Sequence, residues 1–177
     1  MPAPGRDLHM DFEAPLARWR EPIRPEWLDG NGHMNVAYYT LVFDHGTDAF
    51  LDAIDLGFAY RDRTGRSTFA VEAHVTHQNE VGVGEEVLVT TQLLGFDAKR
   101  LHYFHVMVHA ASNRRLATLE QLSLHVNLAT RRVEAMPEAA QRLLAGMAQC
   151  HARLPRPAEQ GRVIGMPRRA SPGPGPA

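Results

Sequence analysis

Several residue types that organise other classes of protein are scarce in this sequence. It has one cysteine, Cys150, which excludes an internal disulfide framework and fits the reducing environment of the cytoplasm. No stretch approaches the roughly 18 consecutive apolar residues of a membrane-spanning helix. The formal net charge is −1, so the chain as a whole is not built to attract nucleic acid or a membrane surface. We therefore expect a cytoplasmic protein with neither nucleic acid nor membrane among its partners.

Motifs for metal binding and thiol chemistry are also missing. Ten histidines are present, but the chain has no HxH or CxxC cluster, and no carboxylate completes a ligand set at useful spacing. Cys150 precedes His151 directly, and neighbouring side chains on a helix do not face each other, so a Cys-His nucleophile pair is not expected. The sequence predicts no catalytic metal and no organic cofactor.

The residues that are present fit one globular domain. The 177 residues are 44% hydrophobic and 22% charged, which is enough for a substantial core. Residues 1–14 combine prolines with no hydrophobic period, which predicts a flexible leader. Residues 156–177 are rich in arginine, glycine and proline, which predicts a disordered tail. The folded domain is therefore expected to span residues 15–155.

The order of the hydrophobic periods predicts an α+β fold. A long helical stripe begins near Asn35 and continues to Ile54, and four strand-like runs follow an arginine-rich connection at 60–66. Short turns between the runs favour antiparallel pairing. A single helix wrapped by a curled antiparallel sheet satisfies this order, and the alternative is an α+β sandwich with the helix on one face. The predicted strands are 16–23, 67–77, 85–96, 101–111 and 116–128, and a short C-terminal helix is predicted at 138–153.

Eleven residues between the first strand and the long helix, 29–39, have the composition of a site. Polar side chains occupy alternate positions at Asp29, Asn31, His33 and Asn35, and two glycines are interleaved with them. Glycine lets the backbone turn sharply, so an acid, an amide and an imidazole can be presented together. The alternative is an ordinary turn of Asp-Gly and Asn-Gly, with Asn35 as a helix N-cap and His33 incidental.

The run Asp-x-Asn-x-His-x-Asn, followed by a helix that contains tyrosine, resembles the active-site segment of hot-dog-fold thioesterases. It is similar to the Asp, Asn and His segment of plant acyl-carrier-protein thioesterases and to the loop of bacterial 4-hydroxybenzoyl-CoA-thioesterase-type enzymes. The resemblance implies a hot-dog fold, with a long central helix wrapped by the sheet, and hydrolysis of a small acyl-CoA to the free acid and CoA. It also implies a homodimer or a dimer of dimers, which agrees with the need to pair the edge of the sheet.

Thioester hydrolysis requires a carboxylate that attacks or activates water, donors for the developing oxyanion, and groups that position the reactants. By the resemblance, Asp29 is the carboxylate, as nucleophile or as general base, and Asn31 and His33 are the positioning groups. A helix N-terminus leaves N–H groups unpaired, and we expect such donors near Gly32, His33 and Met34. The residues of this loop expected to contact substrate are Gly32, Met34, Asn35 and Tyr39.

Three glutamates outside the loop are further candidates. Glu80 lies in the turn 77–82 and resembles the acidic residue that hot-dog thioesterases carry in the same turn, and the alternative is a solvated turn charge. Glu120 shares a strand face with apolar neighbours. Because a buried unpaired carboxylate is costly, we expect Glu120 to have a partner or to line the substrate pocket. Glu72, flanked by small apolar residues, is a similar case.

Arginine supplies nearly all of the positive charge, because Lys99 is the only lysine among 19 basic residues. The guanidinium fork suits phosphate. Basic pairs fall at predicted strand ends or turns, where several could converge across a dimer on the phosphates of CoA. The alternative for each pair is a solvated turn charge. The pairs are Lys99/Arg100, Arg114/Arg115 and Arg131/Arg132.

The segment 91–105, with residues 120–121 and 124–126, resembles thioesterases of carnitine breakdown, some of them fused to carnitine 3-dehydrogenase. Those enzymes are thought to hydrolyse betainyl-CoA, whose small acyl group carries a quaternary ammonium. Such a cation donates no hydrogen bond, so aromatic faces and carboxylates must hold it, at roughly 0.5–2 kcal/mol per well-placed ring. Glu72 and Glu120 are the predicted carboxylates, and the candidate rings are Trp27, Tyr38, Tyr39, Phe69, Tyr103 and Phe104.

Three other functions stay open at this point. Hot-dog hydratases use an Asp-x-Asn-Pro-x-His pattern, whereas this chain has no proline there and His33 follows Asp29 by four positions instead of five, which counts against hydration. A non-catalytic acyl-CoA-binding module would need the fold without Asp29. A structural dimer would need neither.

Overall fold

The computed structural model describes residues 11–166, so the predicted leader lies outside the described residues up to residue 10, and the predicted tail lies outside them from residue 167. The predicted order of a strand, a long helix, four strands and a short helix is confirmed, with three short elements added. The strands are β1 (Leu16–Pro22), β2 (Arg66–His77), β3 (Glu86–Phe96), β4 (Arg100–His109), β5 (Arg115–Asn127) and β6 (Arg132–Val133). The helices are α1 (Val36–Ala53), α2 (Phe58–Thr64) and α3 (Glu138–His151), and a 3₁₀ turn spans Pro25–Trp27.

The strands form one antiparallel sheet in the order β1-β3-β4-β5-β2, with β6 paired to β5. Each of the four long pairings contains a register shift. Bulges bend and twist strands, so the sheet curls. The face that packs on α1 is called the inner face below, and the opposite face the outer face. The predicted α+β hot-dog arrangement is confirmed.

The long helix lies on the inner face because one of its sides is apolar. Val42, Phe43 and Phe50 are fully buried, and burial of a large apolar side chain contributes roughly 1.5–3 kcal/mol. Gly46 permits the closest approach, since a Cβ at this position would lie 2.6 Å from Cγ1 of Val89 on β3. Neither α1 nor any other helix within residues 11–166 is long and apolar enough to cross a membrane.

Residues 58–64 form α2, whereas the sequence predicts a polar, arginine-rich connection at 60–66. Tyr60 explains the helix, because its side chain is buried and its hydroxyl bonds to Nε2 of His125 at 2.9 Å. A single buried anchor holds a short helix whose other side chains are mostly charged or exposed. Gly65 ends the helix at φ 65°, a left-handed conformation that glycine adopts without strain.

A segment after α3, residues 155–162, crosses the outer face of the sheet and is called the C-terminal strap below. The composition of residues from 156 onward instead predicts a disordered tail. The carboxylate of Glu159 accepts hydrogen bonds from Gln78 and Arg115, both at 3.0 Å, and the N–H of Gly161 donates to Glu120 at 2.6 Å. The strap is held by these polar contacts, which a reading of local composition does not detect.

The two edge strands of the sheet are β1 and β2, and β2 is the longer. The middle residues of β2, Ala70 to Ala73, are exposed, and 52% of the surface of Val71 is open to solvent. An edge strand presents unpaired N–H and C=O groups, and three of the four side chains of this stretch, at 70, 71 and 73, are small and apolar, while Glu72 is charged. The exposed stretch is therefore suited to pairing.

Candidate active site

The loop before α1 is closed by its own hydrogen bonds. The N–H of Asp29 donates to the carbonyl of His33, and the N–H of Gly32 donates to the carbonyl of Asp29, both at 3.0 Å. Gly32 takes φ 81°, which favours glycine. The side chain of Asn35 accepts from the N–H of Ala37 at 3.0 Å and so caps α1. The N-cap interpretation of Asn35 is confirmed, and the loop is fixed at the start of the helix.

Asp29 uses one carboxylate oxygen for the turn. Its Oδ1 accepts from the N–H of Asn31 at 2.8 Å, as the ordinary-turn interpretation expects. Its Oδ2 has no hydrogen-bond partner among residues 11–166, and the side chain is half-buried. A carboxylate oxygen with free lone pairs beside a helix N-terminus can accept a proton from water or attack a carbonyl. Asp29 can therefore stabilise the turn through Oδ1 and still take part in catalysis through Oδ2.

The N–H groups at the N-terminus of α1 are partly occupied. Met34 donates to the carbonyl of Val81 at 2.8 Å, and Gly32 closes the loop, so the expected oxyanion donors at these two positions are used by the fold. In the described part of the chain, the N–H groups of His33 and Val36 have no acceptor. These two lie at the positive end of the helix dipole, where an oxyanion is stabilised.

Glu80 meets the loop from the turn between β2 and β3. Its carboxylate lies 3.3 Å from Nδ1 of His33, and its side chain is 67% exposed. The bond between Met34 and Val81 holds the turn against the loop, and Arg114 donates to the carbonyl of Glu80 at 3.1 Å. The structure thus brings together Asp29, His33 and Glu80, while the side chain of Asn31 stays exposed at the rim.

An open cavity of about 380 Å³ lies beside this meeting point. Its walls combine the start of α1 with the turn after β2, so a group held there faces the helix N-terminus. The residues that line it are Met34, Val36, Tyr39, His77, Gln78, Asn79, Glu80 and Arg114.

Tyr39 and His77 form the inner wall of this cavity. The hydroxyl of Tyr39 donates to the carbonyl of Asn79 at 3.1 Å, and its ring packs edge-on against His77 at 5.0 Å. Burial, and then the charge of Glu80, raise the pKa of Tyr39, so it stays a neutral donor. Burial lowers the pKa of His77, which keeps its imidazole neutral near pH 7. Tyr39 is predicted from the sequence, whereas His77 is not, although His77 begins the turn that contains Glu80.

The sheet separates Glu72 and Glu120 from this cavity. Both lie on the outer face, where they line a different cavity of about 400 Å³. Glu120 has the partner that its burial requires: Oε1 lies 2.8 Å from Nε2 of His102, and Oε2 accepts from Gly161 of the strap. Neither glutamate is therefore placed to hold an acyl group at the Asp29 loop of its own chain.

The basic pairs lie at opposite ends of the sheet. Arg114 lines the open cavity, and Arg115 next to it pairs with Glu159 of the strap at 3.0 Å. Lys99 lies in the turn between β3 and β4, and Arg100 begins β4, where it pairs with Asp97 at 2.6 Å and lowers the pKa of that carboxyl. Within one chain, Lys99 and Arg100 are a full strand length from Asp29.

Most of the candidate rings belong to the core. Trp27, Tyr103 and Phe104 are at least 96% buried, and Trp27 stacks on Tyr38 at 5.3 Å behind the loop. Tyr39 is the one candidate ring that lines the open cavity among the described residues. No group of three or more His, Cys, Asp or Glu residues within 11–166 could hold a metal ion.

A family model named the thioesterase-like superfamily matches residues 23–144. Among curated proteins, the betainyl-CoA thioesterase of Pseudomonas aeruginosa is 41% identical over 152 residues, which cover 86% of this chain and 96% of that protein. The L-carnitine dehydrogenase/betainyl-CoA thioesterase of Rhizobium meliloti is 35% identical over 166 residues, 94% of this chain. This chain spans 33% of that longer protein.

Solved structures share the fold. A putative thioesterase from Pseudomonas putida KT2440 superposes with a TM-score of 0.76 and 33% identity, over 89% of this chain and 100% of that chain. A protein from Staphylococcus aureus, solved in complex with CoA, superposes with a TM-score of 0.80 and 24% identity, again over 89% and 100% of the two chains.

Proposed function

Because the chain belongs to the thioesterase-like superfamily, we propose that this acyl-CoA thioesterase hydrolyses betainyl-CoA to betaine and CoA. The observation that carries the proposal is the meeting of the Asp29 loop with the Glu80 turn at the N-terminus of α1. Similarity to a betainyl-CoA thioesterase over nearly its whole length supports the choice of acyl group.

The chain's own groups supply each part of the reaction. Asp29 takes a proton from water, the water oxygen bonds to the thioester carbonyl carbon, and the carbonyl oxygen becomes an oxyanion facing the N–H groups of His33 and Val36. The C–S bond then breaks, CoA leaves as the thiol after taking up a proton, and the acyl group leaves as a carboxylate. Alternatively, Asp29 attacks the carbonyl directly, and water then hydrolyses the resulting anhydride to the same products.

Groups around Asp29 position the reactants. Glu80 lies against His33 and orients its ring, and Asn31 at the rim is within the same loop. Tyr39, held by Asn79, fixes the wall that faces the thioester. Positioning of this kind acts on kcat, because it sets the geometry of attack rather than the strength of ground-state binding.

We propose a homodimer that pairs through the free edge of β2, and a dimer of dimers is the alternative. An antiparallel pairing about a twofold axis between Val71 and Glu72 would place His77 of one protomer opposite the partner's Arg66. This pairing would also bring Lys99 and Arg131 at one end of a protomer towards the partner's Arg114. Several arginines could then meet the phosphates of one CoA.

The function is tested with a panel of short, branched, aromatic and cationic acyl-CoAs and detection of the released thiol. We expect turnover with betainyl-CoA, and a loss of at least about 10²-fold in kcat for Asp29→Asn, the lower end for a general base. Asp55→Asn is the matched control, since its carboxylate is 62% exposed beyond the far end of α1. CoA binding without any thiol release would favour a binding module, and near-normal turnover by Asp29→Asn would remove Asp29 from the chemistry.

We also propose that the reaction needs no metal or organic cofactor and takes place in the cytoplasm. Enzyme dialysed against a chelator should keep its full activity with betainyl-CoA, since the mechanism draws only on side chains and backbone groups of the chain. Loss of activity that returns on adding a divalent metal would contradict this proposal.

A further inference from the structure

The C-terminal strap reaches the wall of the open cavity beside the Asp29 loop. The carboxylate of Glu159 accepts hydrogen bonds from Nε2 of Gln78 and from Nη2 of Arg115, both at 3.0 Å. Gln78 itself lines the open cavity, and Arg115 follows Arg114, which lines it too. The strap lies outside the family match at residues 23–144, so this contact comes from a part of the chain that the match does not cover.

The side chain of Glu159 is largely buried at this contact. Only 15% of it is exposed, although it ends in a carboxylate. A carboxylate that is removed from water needs charged or strongly polar partners. Hydrogen bonds with an ion at one end are shorter than neutral ones and roughly twice as strong. The two bonds of Glu159 are therefore firm restraints on Gln78 and Arg115.

The side chain of Arg115 depends on Glu159 for its polar contacts. Nη2 donates to Glu159, whereas the buried Nε has no hydrogen-bond partner within residues 11–166. The side chain makes no other hydrogen bond in that part of the chain. Without the carboxylate, the guanidinium would gain more from water than from its present position.

Backbone bonds carry this restraint into the Glu80 turn. The N–H groups of Gln78 and Asn79 both donate to the carbonyl of Leu116, at 2.8 and 3.1 Å. Nδ2 of Asn79 donates to the carbonyl of Arg115 at 2.7 Å, and the carbonyl of Asn79 accepts from Tyr39. The start of β5, the Glu80 turn and the inner wall of the cavity are thus joined by consecutive hydrogen bonds.

Glu80 lies at the end of this connection. It follows Asn79 directly, and its carbonyl accepts from Arg114 at 3.1 Å. Its carboxylate lies 3.3 Å from Nδ1 of His33. A shift of the turn would therefore change the contact between Glu80 and His33, and a displacement of about 1 Å near reacting groups can cost about 10²-fold in rate.

We propose that Glu159 is a positioning residue for thioester hydrolysis, and that it acts through Gln78 and Arg115 on the turn that carries Glu80. This inference rests on the proposed function, because the position of the turn affects turnover only if the thioester is hydrolysed at the Asp29 loop. It gives the strap a part in catalysis in addition to its part in the stability of the fold.

Turnover by two variants of Glu159 tests the proposal. Glu159→Ala removes both acceptor oxygens, so kcat for betainyl-CoA should fall about tenfold, with KM little changed. Glu159→Gln keeps the shape of the side chain and one acceptor oxygen, and its kcat should lie between those of Glu159→Ala and wild type. Kinetics are measured where circular dichroism shows the variants to be folded. An unchanged kcat in Glu159→Ala, or in Glu159→Gln if the alanine variant does not fold, would overturn the proposal.

A matched control loosens the strap at its other end. Gln92 on β3 donates to the carbonyl of Pro155 at 3.4 Å, across the sheet from the Glu80 turn. Gln92→Leu should keep the wild-type kcat, even where it lowers stability in urea. If Gln92→Leu lowers kcat as much as Glu159→Ala, the strap acts only through the stability of the fold and the proposal fails.

A double-mutant cycle tests the route through Gln78. Gln78→Leu removes one of the two partners of Glu159, so adding Glu159→Ala to it should lower kcat by a smaller factor than in wild type. Independent positions would instead multiply their effects. An equal factor in the two backgrounds would show that Glu159 does not act through Gln78 and would contradict the proposed route.

Failure of the proposed function and failure of this inference give different results. A wild-type enzyme that hydrolyses no acyl-CoA of the panel overturns both. If wild type hydrolyses another acyl-CoA but not betainyl-CoA, the choice of acyl group is wrong, and the variants are compared with that other substrate. An active wild type with equally active Glu159 variants keeps the thioesterase and overturns only the catalytic part of the strap.

Discussion

Two histidines of this chain, one exposed and one buried, lie in opposite environments. His33 is 42% exposed and lies 3.3 Å from the carboxylate of Glu80, whereas His105 is completely buried between Thr47 and Thr91, with bonds of 3.0 and 2.9 Å. The first lies open to solvent at the catalytic loop, and the second joins the inner face of the sheet to α1. Each position therefore predicts a different kind of loss when it is changed.

At His33, the expected loss is in turnover. His33→Ala should lower kcat with little change in KM, because the ring positions reactants at the open end of the loop rather than binding CoA. Asn31→Ala should act in the same direction. Steady-state kinetics with betainyl-CoA gives both parameters, and a change confined to KM would reassign either residue to binding.

At His105, the expected loss is in stability at acid pH. Burial lowers the pKa of His105 to about 3 in the folded protein, against 6.5 for an ordinary imidazole. Between these values the unfolded chain binds the proton and the folded chain does not, so the free energy of unfolding falls as the pH falls from 6.5 towards 3, with a slope of up to about 1.4 kcal/mol per pH unit. Urea titrations from pH 7 to pH 4 measure this slope.

A matched pair of variants isolates the His105 contribution. His105→Gln removes the titrating group and should flatten the pH dependence, even where it lowers stability at pH 7. His74→Gln on the outer face is the control and should keep the wild-type slope. An equal slope in all three proteins would mean that other groups cause the acid sensitivity.

The catalytic loop illustrates what the sequence could predict. Asp29 and Asn35 act within a few residues of their hydrogen-bond partners, so the motif and its cap could be recognised locally. His77 joins the site only because β2 returns the chain to Tyr39, a contact between residues distant in sequence. The prediction that Glu120 holds the acyl group fails for a different reason. Strand alternation shows which residues share a face with Glu120, but it does not show which face of the sheet packs on the helix.

Among the elements, β2 is the one that we expect to pair with a second copy of the chain. Its exposed middle, Ala70 to Ala73, carries no Pro or Lys that would block the approach of another strand. We expect Val71→Lys to convert the dimer to monomers, because it places a charge on each side of the twofold axis. Light scattering after size-exclusion chromatography measures the mass.

The matched control for this variant is Val83→Lys, at a position that is 51% exposed in the turn before β3. It adds the same charge away from the edge and should leave the dimer intact. If Val71→Lys remains a dimer of unchanged affinity, then β2 is not the interface.

The helices and the strap show which parts of the structure a local sequence pattern predicts and which it does not. The apolar stripe of α1 is long, so its helix and its burial could be predicted directly. In α2, the buried side chain of Tyr60 holds a helix whose other residues are mostly charged or exposed. The strap is held by hydrogen bonds between its polar groups and the sheet. Both depend on contacts with residues distant in sequence, which no local period encodes.

On the scale of the whole molecule, the strap links the far parts of the outer face. Gln92 on β3 donates to the carbonyl of Pro155, and Glu159 binds Arg115 on β5. We expect Glu159→Gln to lower the free energy of unfolding by about 1 kcal/mol, since Arg115, whose buried Nε already has no hydrogen-bond partner, loses its carboxylate. Glu138→Gln, at a side chain that is 92% exposed, should change stability little in the same urea titration.

If the enzyme dimerises through the open edge of β2, its activity depends on its concentration. In such a dimer, Arg114 of one protomer and Lys99 of the other would meet the phosphates of one CoA, so a monomer has its catalytic acid but only part of its phosphate site. Specific activity towards betainyl-CoA should therefore fall when the enzyme is diluted below the dissociation constant of the dimer, and it should recover when an inactive Asp29→Asn protein is added in excess. An enzyme whose active site is complete in the monomer would keep its specific activity on dilution and would not respond to the inactive protein.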